Sequence, residues 1–355
     1  MDARALRSCL GRPSVVSTAT DTPCNVFNLT VGAAKESQFG YCDEPMPSVS
    51  VIIRALNEAE HLPALLEGIA MGTHRPEQVV LVDSGSSDDT VTIAKEHGVE
   101  IVDIVPEQFS FGRALNLGCE HATSEVLVFA SAHVYPLDKH WLEHLIEPLE
   151  AGASLSYGRQ TGDHRTQFSE SQVLRKWFPE DSVEDQRNPF CNNANCAVLR
   201  SVWEHLRYDE TLTGLEDLDW ATRAQAAGHK LSYRADAAVV HVHEERFRQT
   251  LNRYRREAIA HQRIGSGVRL GVFEAVWLFF GNVGRDYIAA VASRCFTANL
   301  LGIPRFRLAQ FWGSWTGSRQ SGEVDVDLKR RFYYPRGLPS KPTWGRKDAS
   351  VVDRE

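Results

Sequence analysis

The chain has 355 residues, of which 43% are hydrophobic and 24% are charged. This composition is typical of a globular protein with one large domain or two domains, and it excludes collagen, coiled coil and general disorder. The 39 Lys and Arg residues against 46 Asp and Glu residues give a formal net charge of -7. Nucleic acid is therefore not expected as a partner, because no overall positive field exists to attract a polyanion.

Three features of the sequence favour a cytoplasmic protein. The mean hydropathy is -0.31, and we find no charge-free apolar run of the length that a transmembrane helix needs. The N-terminal sequence lacks a long apolar segment followed by a cleavage site, so nothing predicts export. Seven scattered cysteines without a CxxC pair favour reduced thiols over disulfides or a zinc site. We expect a cytoplasmic location that includes the inner membrane surface.

The periodicity of apolar residues changes along the chain and predicts four regions. Residues 1–46 show no sustained pattern, and we expect an irregular extension there. From 47 to 245, short apolar runs typical of strands alternate with helix-like spacings. This alternation predicts an α/β fold with a mostly parallel sheet flanked by helices. A helical extension over 246–317 and a polar tail over 318–355 complete the prediction.

The predicted elements of the α/β region follow in chain order. The strands are expected at Val49–Ile53, Val79–Val82, Glu100–Val105, Val126–Ala130 and Ala237–His241. A helix is expected after Asn57, and Asp88 or Asp89 is expected to cap a second helix that runs through Ile93 to His97. Further helices are expected over Arg113–His121, Asp138–Leu149 and Leu215–Ala227. Between Ser154 and Asn188 the pattern loosens, and loops are expected to dominate.

The helical extension begins with a basic segment, Arg246–Arg263, and continues with the apolar stretch Gly271–Phe280, which only Glu274 interrupts. Two interpretations of this stretch remain open at the level of sequence. One is a helix buried against the α/β domain, and the other is peripheral insertion into a membrane surface.

Polar residues follow the predicted strands, where ligands bind in open α/β sheets. Strand one is followed by Arg54, Asn57 and Glu58, strand two ends at Asp83, and the fourth is followed by Ser131-Ala132-His133. Neither G-x-G-x-x-G after the first strand nor G-x-x-x-x-G-K-[ST] occurs. A bound nucleotide would therefore be held by carboxylates and other polar side chains.

Four segments of the chain, in this order, resemble the motifs of family 2 glycosyltransferases with the GT-A fold. They are V-S-V-I-I-R-A-L-N-E, V-D-S-G-S-S-D-D-T, F-S-F-G-R-A-L-N-L-G, and G-L-E-D-L-D-W-A-T-R-A-Q-A-A-G-H-K with the later H-V-H. The resemblance covers about residues 47–245. It implies the GT-A fold, an enzyme and a nucleotide-diphosphate sugar as donor.

The resemblance also implies which residues bind the donor. Asp83 matches the carboxylate that accepts a hydrogen bond from the base or ribose, and Arg54, Asn57 and Glu58 line the neighbouring position. Arg113 and Asn116 of the third motif are candidates for the base and ribose, with a solvated helix face as the alternative. Further candidates are Ser131, Arg159 of a G-R-Q stretch similar to that of bacterial polysaccharide-building members, and Asn195 of an amide-rich segment.

The candidate metal ligands depart from the family pattern. Members place D-x-D after the fourth strand to hold a divalent cation, whereas this chain has Ser131-Ala132-His133. The imidazole of His133 is a suitable ligand for Mn²⁺ and a poorer one for Mg²⁺. Alternatively, other groups hold the metal, or His133 contacts the phosphates directly. His241 and His243 project to the same face of their strand, and either matches a histidine that completes metal or diphosphate binding in the family.

The catalytic candidates are Glu216 and Asp217, at the start of a predicted helix. The resemblance assigns the base to this pair, and we choose Asp217; the alternative is a cluster of helix-capping acids. The expected reaction is an inverting transfer from the donor to a hydroxyl of a glycan or a lipid-linked acceptor, in surface polysaccharide synthesis. A non-catalytic protein that binds nucleotide sugars or glycans on the same scaffold is the alternative.

Overall fold

The computed structural model describes residues 47–265, 269–320 and 332–333. The predicted extension at 1–46 and most of the polar tail lie outside the described residues. Within them, an eight-stranded sheet carries helices on both faces, and further helices follow the last strand. The predicted α/β class is confirmed.

The sheet has the spatial order β3-β2-β1-β4-β7-β6-β8-β5. The strands β1, β2, β3, β4, β6 and β8 run in one direction, and β5 and β7 run in the other. The sheet is thus mostly parallel but mixed at one half. The strand bounds are β1 Val49–Ala55, β2 Gln78–Asp83, β3 Glu100–Asp103, β4 Val126–Ser131, β5 Val134–Pro136, β6 Leu155–Thr161, β7 Asn195–Leu199 and β8 Leu231–His241.

Seven helices accompany the sheet, and four follow it among the described residues. The first set is α1 Leu62–Met71, α2 Thr90–Glu96, α3 Phe111–His121, α4 Trp141–Glu150, α5 Phe168–Trp177, α6 Arg200–His205 and α7 Glu216–Ala226. The second set is α8 Phe247–Ile264, α9 Val272–Ala292, α10 Phe296–Asn299 and α11 Gly302–Gly317. None of the described helices has both the length and the apolarity that crossing a bilayer requires.

Two apolar cores, one on each face of the sheet, hold the α/β region together. Side chains of β1 alternate between them: Val51 and Ile53 pack in the core with α1 and α4, and Ile52 packs in the core with α3 and α7. This alternation follows from the two-residue period of a strand, and both faces must be apolar because helices cover both. The shared direction of β1, β2, β4, β6 and β8 brings their carboxyl ends to the same edge of the sheet.

The stretch between Ser154 and Asn188 was predicted to be mainly loop, and that prediction is wrong. It contains β6 and α5, and β6 is central in the second half of the sheet because it pairs with both β7 and β8. Its seven residues mix apolar and polar side chains, since polar groups such as Gln160 are buried by hydrogen bonding rather than by apolar packing. The apolar periodicity used for prediction is therefore weak in this strand.

Close helix packing joins α8 to α11. A Cβ atom added at Gly313 would lie 2.4 Å from the carbonyl oxygen of Leu251, and one added at Gly317 would lie 2.3 Å from that of Arg255. Glycine at these positions lets the two backbones approach where any side chain would collide. The helical extension is thus packed as a compact layer beside the sheet.

A buried ion pair ties this layer to α5. The guanidinium of Arg307 on α11 donates to both carboxylate oxygens of Asp286 on α9, with distances of 2.7 and 2.9 Å. The hydroxyl of Ser169 on α5 donates to the same carboxylate at 2.6 Å. Such a pair is stabilising only while both partners remain, because each charge is shielded from water.

Candidate active site

One large cavity, of about 1350 Å³, lies where the chain brings several strand ends together. Residues at the carboxyl ends of β1, β4 and β8 and the residue before β7 line it: Arg54, Ser131, His241 and Ala194. The N-terminus of α7 and one side of α8 complete the wall. This is the position at which an open α/β sheet is expected to bind a ligand.

The charged side chains that line the cavity are predominantly acidic. Nine carboxylic acids face four arginines, which are Arg54, Arg246, Arg253 and Arg256; the acids are Glu58, Glu60, Asp88, Glu170, Glu216, Asp217, Glu244, Glu245 and Glu257. An anionic ligand such as a diphosphate would be repelled by this excess of carboxylates. A cation bound in the cavity would offset this repulsion.

Three histidines form a cluster on one wall of the cavity. His133, His241 and His243 each offer one ring nitrogen, and the three atoms lie within 4.8 Å of one another. The rings of His133 and His241 are stacked, with 5.0 Å between their centroids. The loop after β4 supplies the first histidine and the end of β8 the other two, because β5 pairs antiparallel with β8 and brings the segments together.

An oxygen acceptor holds the Nδ1 atom of each ring. Nδ1 of His133 lies 2.9 Å from the Glu58 carboxylate, that of His241 lies 2.6 Å from the Gln160 carbonyl oxygen, and that of His243 lies 2.7 Å from Glu170. A ring whose Nδ1 donates to its oxygen acceptor directs Nε2 to the cluster, where that nitrogen can accept a proton or a metal ion. The Ser131 hydroxyl lies 3.2 Å from Nε2 of His133 and can donate to it.

This arrangement fits a metal ion. The Nε2 atoms of His241 and His243 lie 2.9 Å apart, and two facing lone pairs at that distance repel unless a proton or a cation lies between them. Burial, together with the nearby charges of His243 and His133, lowers the pKa of His241 well below its usual value. A ring that resists protonation is a competent metal ligand.

Glu170 and Arg253 support the cluster from α5 and α8. Burial alone would raise the pKa of Glu170, but the Arg253 guanidinium and His243 outweigh this effect and lower it to about 2. Glu170 is thus ionised and accepts from His243 and from Arg253, the latter at 2.5 Å. Arg253 also donates to Glu245 at 2.8 Å.

Asp217 lines the cavity and lies in the first turn of α7. Its Oδ1 accepts from the backbone N–H of Leu218 at 2.8 Å, and its Oδ2 accepts from that of Asn193 at 3.3 Å. Burial away from water and the neighbouring Glu216 carboxylate raise the pKa of Asp217 to about 7. The two backbone hydrogen bonds and the charge of Arg54 lower the pKa, but their effect is smaller. A carboxylate with such a pKa can accept a proton near neutral pH.

Glu216 and Arg54 form the adjoining ion pair, with 2.9 Å between Oε1 and Nη1. The ring of Phe111 lies between two guanidinium groups, 5.0 Å from Arg54 and 4.7 Å from Arg256. Leu215, immediately before α7, has φ 55° and ψ 27°. This left-handed conformation is unusual for leucine, and backbone strain of this kind is concentrated at functional sites.

Asp83 is buried at the end of β2, one strand away from Arg54, and it is not among the residues that line the cavity. Its Oδ2 accepts from the backbone N–H groups of Gly85 and Ser86, at 3.0 and 2.9 Å. Its Oδ1 is buried and has no hydrogen-bond partner within the described part of the chain. The loop after β2 is tied to that after β1, since Ser87 donates its N–H to Asn57 Oδ1 at 2.7 Å.

The remaining candidate donor-binding residues have protein partners and do not line this cavity. Asn116 is buried and bonded to Tyr208, Glu210 and Trp203. Asn195 is buried and bonded to Trp141, Arg159 and Ala237. Arg113 pairs with Glu210 at 3.1 Å, and the Arg159 side chain lies 3.4 Å from Glu180.

Sequence reasoning named Glu58 only as a donor-binding candidate, and it missed the residues that hold the other two histidines. Gln160 and Glu170 lie in the stretch predicted as loop, and each is far along the chain from the histidine it holds. Arg256 on the basic segment was not singled out either. The local pattern around these residues carries no signal, because their roles arise from partners about seventy or more residues away.

Comparison with known proteins gives consistent results. Residues 50–207 match the sequence model of glycosyl transferase family 2. The chain is 27% identical over 229 residues to the O-antigen chain rhamnosyltransferase RfbN of Salmonella typhimurium, covering 60% of this chain and 72% of that protein. It is similarly 27% identical over 229 residues to the O-antigen chain rhamnosyltransferase WbaN of Salmonella anatum, covering 61% of this chain and 73% of the other.

A solved structure confirms the fold. The mannosyltransferase PcManGT from Pyrobaculum calidifontis, in complex with GDP-Man and Mn²⁺, superposes with a TM-score of 0.52 at 16% sequence identity. The aligned region covers 82% of this chain and 88% of that protein. The GT-A fold expected from the motifs is therefore confirmed.

Proposed function

Since residues 50–207 form a family 2 glycosyltransferase domain on a GT-A fold, we propose that the protein transfers a sugar, with inversion, from a nucleotide-diphosphate donor to a hydroxyl acceptor. One observation carries this proposal above the others. A carboxylate with a raised pKa, Asp217, and a cluster of three histidines line the same acidic cavity. Catalysis is assigned to region 47–245, and the helical extension 246–317 supplies part of the cavity wall.

In this mechanism Asp217 is the general base. Its carboxylate takes the proton of the acceptor hydroxyl while the acceptor oxygen forms a bond to the anomeric carbon. The bond from that carbon to the diphosphate breaks on the opposite face, and a nucleoside diphosphate leaves with the electron pair. Glu216 and Arg54 position the first turn of α7 and set the local charge, and Glu216 raises the proton affinity of Asp217.

The histidine cluster is the proposed site of a divalent cation. His133, His241 and His243 would hold it through Nε2, with Glu58, Gln160 and Glu170 fixing the rings. When bound, such a cation offsets the negative charge that grows on the diphosphate as it leaves. Three nitrogen ligands suit Mn²⁺ better than Mg²⁺, which prefers oxygen.

The donor is proposed to enter beside the ends of β1 and β2. Asn57, Glu58 and Ser131 line this part of the cavity, and the free Oδ1 of Asp83 is the nearby acceptor for a ring N–H of uracil, thymine or guanine. Arg113, Asn116, Arg159 and Asn195 are proposed to act behind this surface, because each has a protein partner and none of them lines the cavity. The rhamnosyltransferase relatives support surface polysaccharide synthesis, with a glycan or a lipid-linked saccharide as acceptor.

The decisive experiment measures nucleoside diphosphate release from UDP-, dTDP- and GDP-sugars, with and without Mn²⁺. We expect release from one donor class, stimulated by Mn²⁺ and suppressed by EDTA. The absence of D-x-D leaves a non-catalytic nucleotide-sugar-binding protein as the rival function. Donor binding without hydrolysis or transfer, across donors and a panel of saccharide acceptors, would favour the rival.

A further inference from the structure

The helices that follow the sheet expose an unusual number of large apolar side chains. On α9, Phe273 is 88% exposed, Trp277 61%, Phe280 67% and Ile288 74%. With Val276 and Val291 these positions recur at helical spacing, so they form one stripe along the helix. The interpretation of Gly271–Phe280 as a helix buried against the α/β domain is therefore wrong for this stripe, while the opposite side of α9, including Ala275 and Leu278, is buried.

A second stripe lies on the neighbouring helix α11 and the turn before it. Leu301 is 80% exposed, and Leu308 and Trp312 are about half exposed. These three residues are separated by seven and four positions and thus share one side of the helix. Because α11 packs against α9, the two stripes belong to adjoining helices.

The same segment is basic although the whole chain is acidic. Residues 269–320 contain six arginines and two acids, and the pair Arg307 and Asp286 is buried and mutually neutralised. Apart from this pair, the segment has one acid, Glu274, and five arginines, which are Arg269, Arg285, Arg294, Arg305 and Arg319. Each of these five arginines is exposed. Five exposed positive charges and one half-buried carboxylate thus accompany the apolar stripes.

From these observations we propose that α9 and α11 form a membrane-binding surface that lies in the interface of an anionic bilayer. The combination of an apolar stripe, tryptophans and flanking arginines is the pattern of a helix that lies in the bilayer surface. A second copy of the chain is the competing occupant, and charge decides against it. Two such basic faces would repel each other, whereas anionic headgroups complement them.

Helix α11 and the segment just before α9 also contribute buried side chains to the cavity wall. Leu270 lines the cavity two residues before α9 begins, and Gln310 and Ser314 of α11 also line it. The proposed membrane-binding surface and the cavity thus use different sides of α11. The membrane-binding surface is inferred from the exposure and charge of α9 and α11, and it does not depend on the transfer reaction proposed above.

Vesicle flotation of the full chain tests the surface. Wild-type protein is expected to float with vesicles of phosphatidylcholine mixed with phosphatidylglycerol, more weakly with phosphatidylcholine alone, and less as sodium chloride is raised. The triple variant Phe273→Ser, Trp277→Ser, Phe280→Ser should lose on the order of tenfold or more in vesicle binding. The variant Arg285→Gln, Arg294→Gln, Arg305→Gln should lose binding only to the anionic vesicles.

The matched control is Met71→Ser, which removes an exposed apolar side chain from α1, and it should float like wild type. Circular dichroism and donor hydrolysis of all variants show whether the fold and the cavity are intact. Equal flotation of wild type and the apolar variant would overturn the proposal. So would a wild-type dimer in size-exclusion chromatography that the apolar variant converts to monomer without any change in flotation.

Discussion

The Nε2 atoms of His241 and His243 lie 2.9 Å apart while Glu170 and Gln160 hold the opposite nitrogens. This geometry predicts that the pair binds a cation between the rings. His243→Gln should weaken Mn²⁺ binding by at least about tenfold, measured by calorimetric titration without donor. His97→Gln, at an exposed position on another helix end, is the control. Unchanged Mn²⁺ affinity in His243→Gln would contradict the assignment.

Asp217→Asn should separate catalysis from binding. Loss of the base is expected to reduce turnover by about 10²- to 10⁴-fold, while the donor dissociation constant stays within a few-fold of wild type. Asp219→Asn changes a neighbouring acid that pairs with Arg223 instead, and it should retain most activity. Equal loss of turnover in both variants would show that the effect comes from the helix and not from the base.

Asp83→Ala should weaken donor binding more than it lowers turnover, which is the reverse of the result expected for Asp217→Asn. The side chain accepts hydrogen bonds from the loop after β2, and its Oδ1 is buried without a partner among the described residues. If this oxygen accepts from the base as proposed, the variant should bind the donor more weakly at saturating acceptor, with a smaller change in turnover. Equilibrium binding of nucleoside diphosphates to the variant tests this. Asp83→Asn is the companion variant, because it keeps the side-chain shape and removes the charge.

The raised pKa of Asp217 predicts both an activity profile and a stability profile. Activity requires the ionised carboxylate, so turnover should rise with pH through about 7. The contribution of Asp217 to folding stability changes in the opposite direction and falls as pH rises. A carboxyl with a folded pKa above its unfolded value stabilises the fold fully below the unfolded pKa, and this contribution is lost as pH rises through the folded pKa.

Asp217→Asn should therefore melt at a higher temperature than wild type at pH 8, and the difference should shrink towards pH 4. The charged and titratable groups around this carboxyl include Glu216 and Arg54, with the buried Cys191 and Tyr208 neutral in this range. Thermal melts across the pH range decide the point. A variant that is less stable than wild type at every pH would contradict the proposed linkage.

Arg54→Gln tests the electrostatic coupling at the first turn of α7. Arg54 lowers the pKa of Asp217 and pairs with Glu216, so its removal should move the midpoint of the pH–activity profile to higher pH. Arg54→Lys keeps the charge and should restore most of the midpoint. A loss of turnover without any shift in the profile would assign Arg54 to substrate binding alone.

The buried pair of Asp286 and Arg307 should dominate the attachment of the helical layer. Asp286→Asn leaves an unpaired guanidinium in a buried position and should cost about 3–5 kcal/mol of unfolding free energy. Glu120→Gln breaks an exposed pair with Arg207 and should cost less than about 1 kcal/mol. Denaturant unfolding of both variants provides the comparison, and similar costs would refute the ranking.

Much of the fold could be predicted from the sequence, because strand and helix periods are local. The run Val49–Ile53 and the spacing of Leu62, Leu65 and Ile69 predict β1 and α1 correctly, and the polar residues after the strands mark one edge of the sheet. The stretch containing Gln160 could not be predicted in the same way. Its strand is stabilised by buried hydrogen bonds to distant residues, which leave no period in the sequence.

The sequence by itself determined the α/β class, the order of the motifs and the residue types available at the strand ends. Only the tertiary structure decided that His133 joins His241 and His243, and that Asn116 and Asn195 bond to protein instead of lining the cavity. The physical reason is that a side chain's role depends on which partners satisfy its polar atoms. Those partners, such as Glu170 for His243, are brought together by strand pairing between segments far apart in the chain.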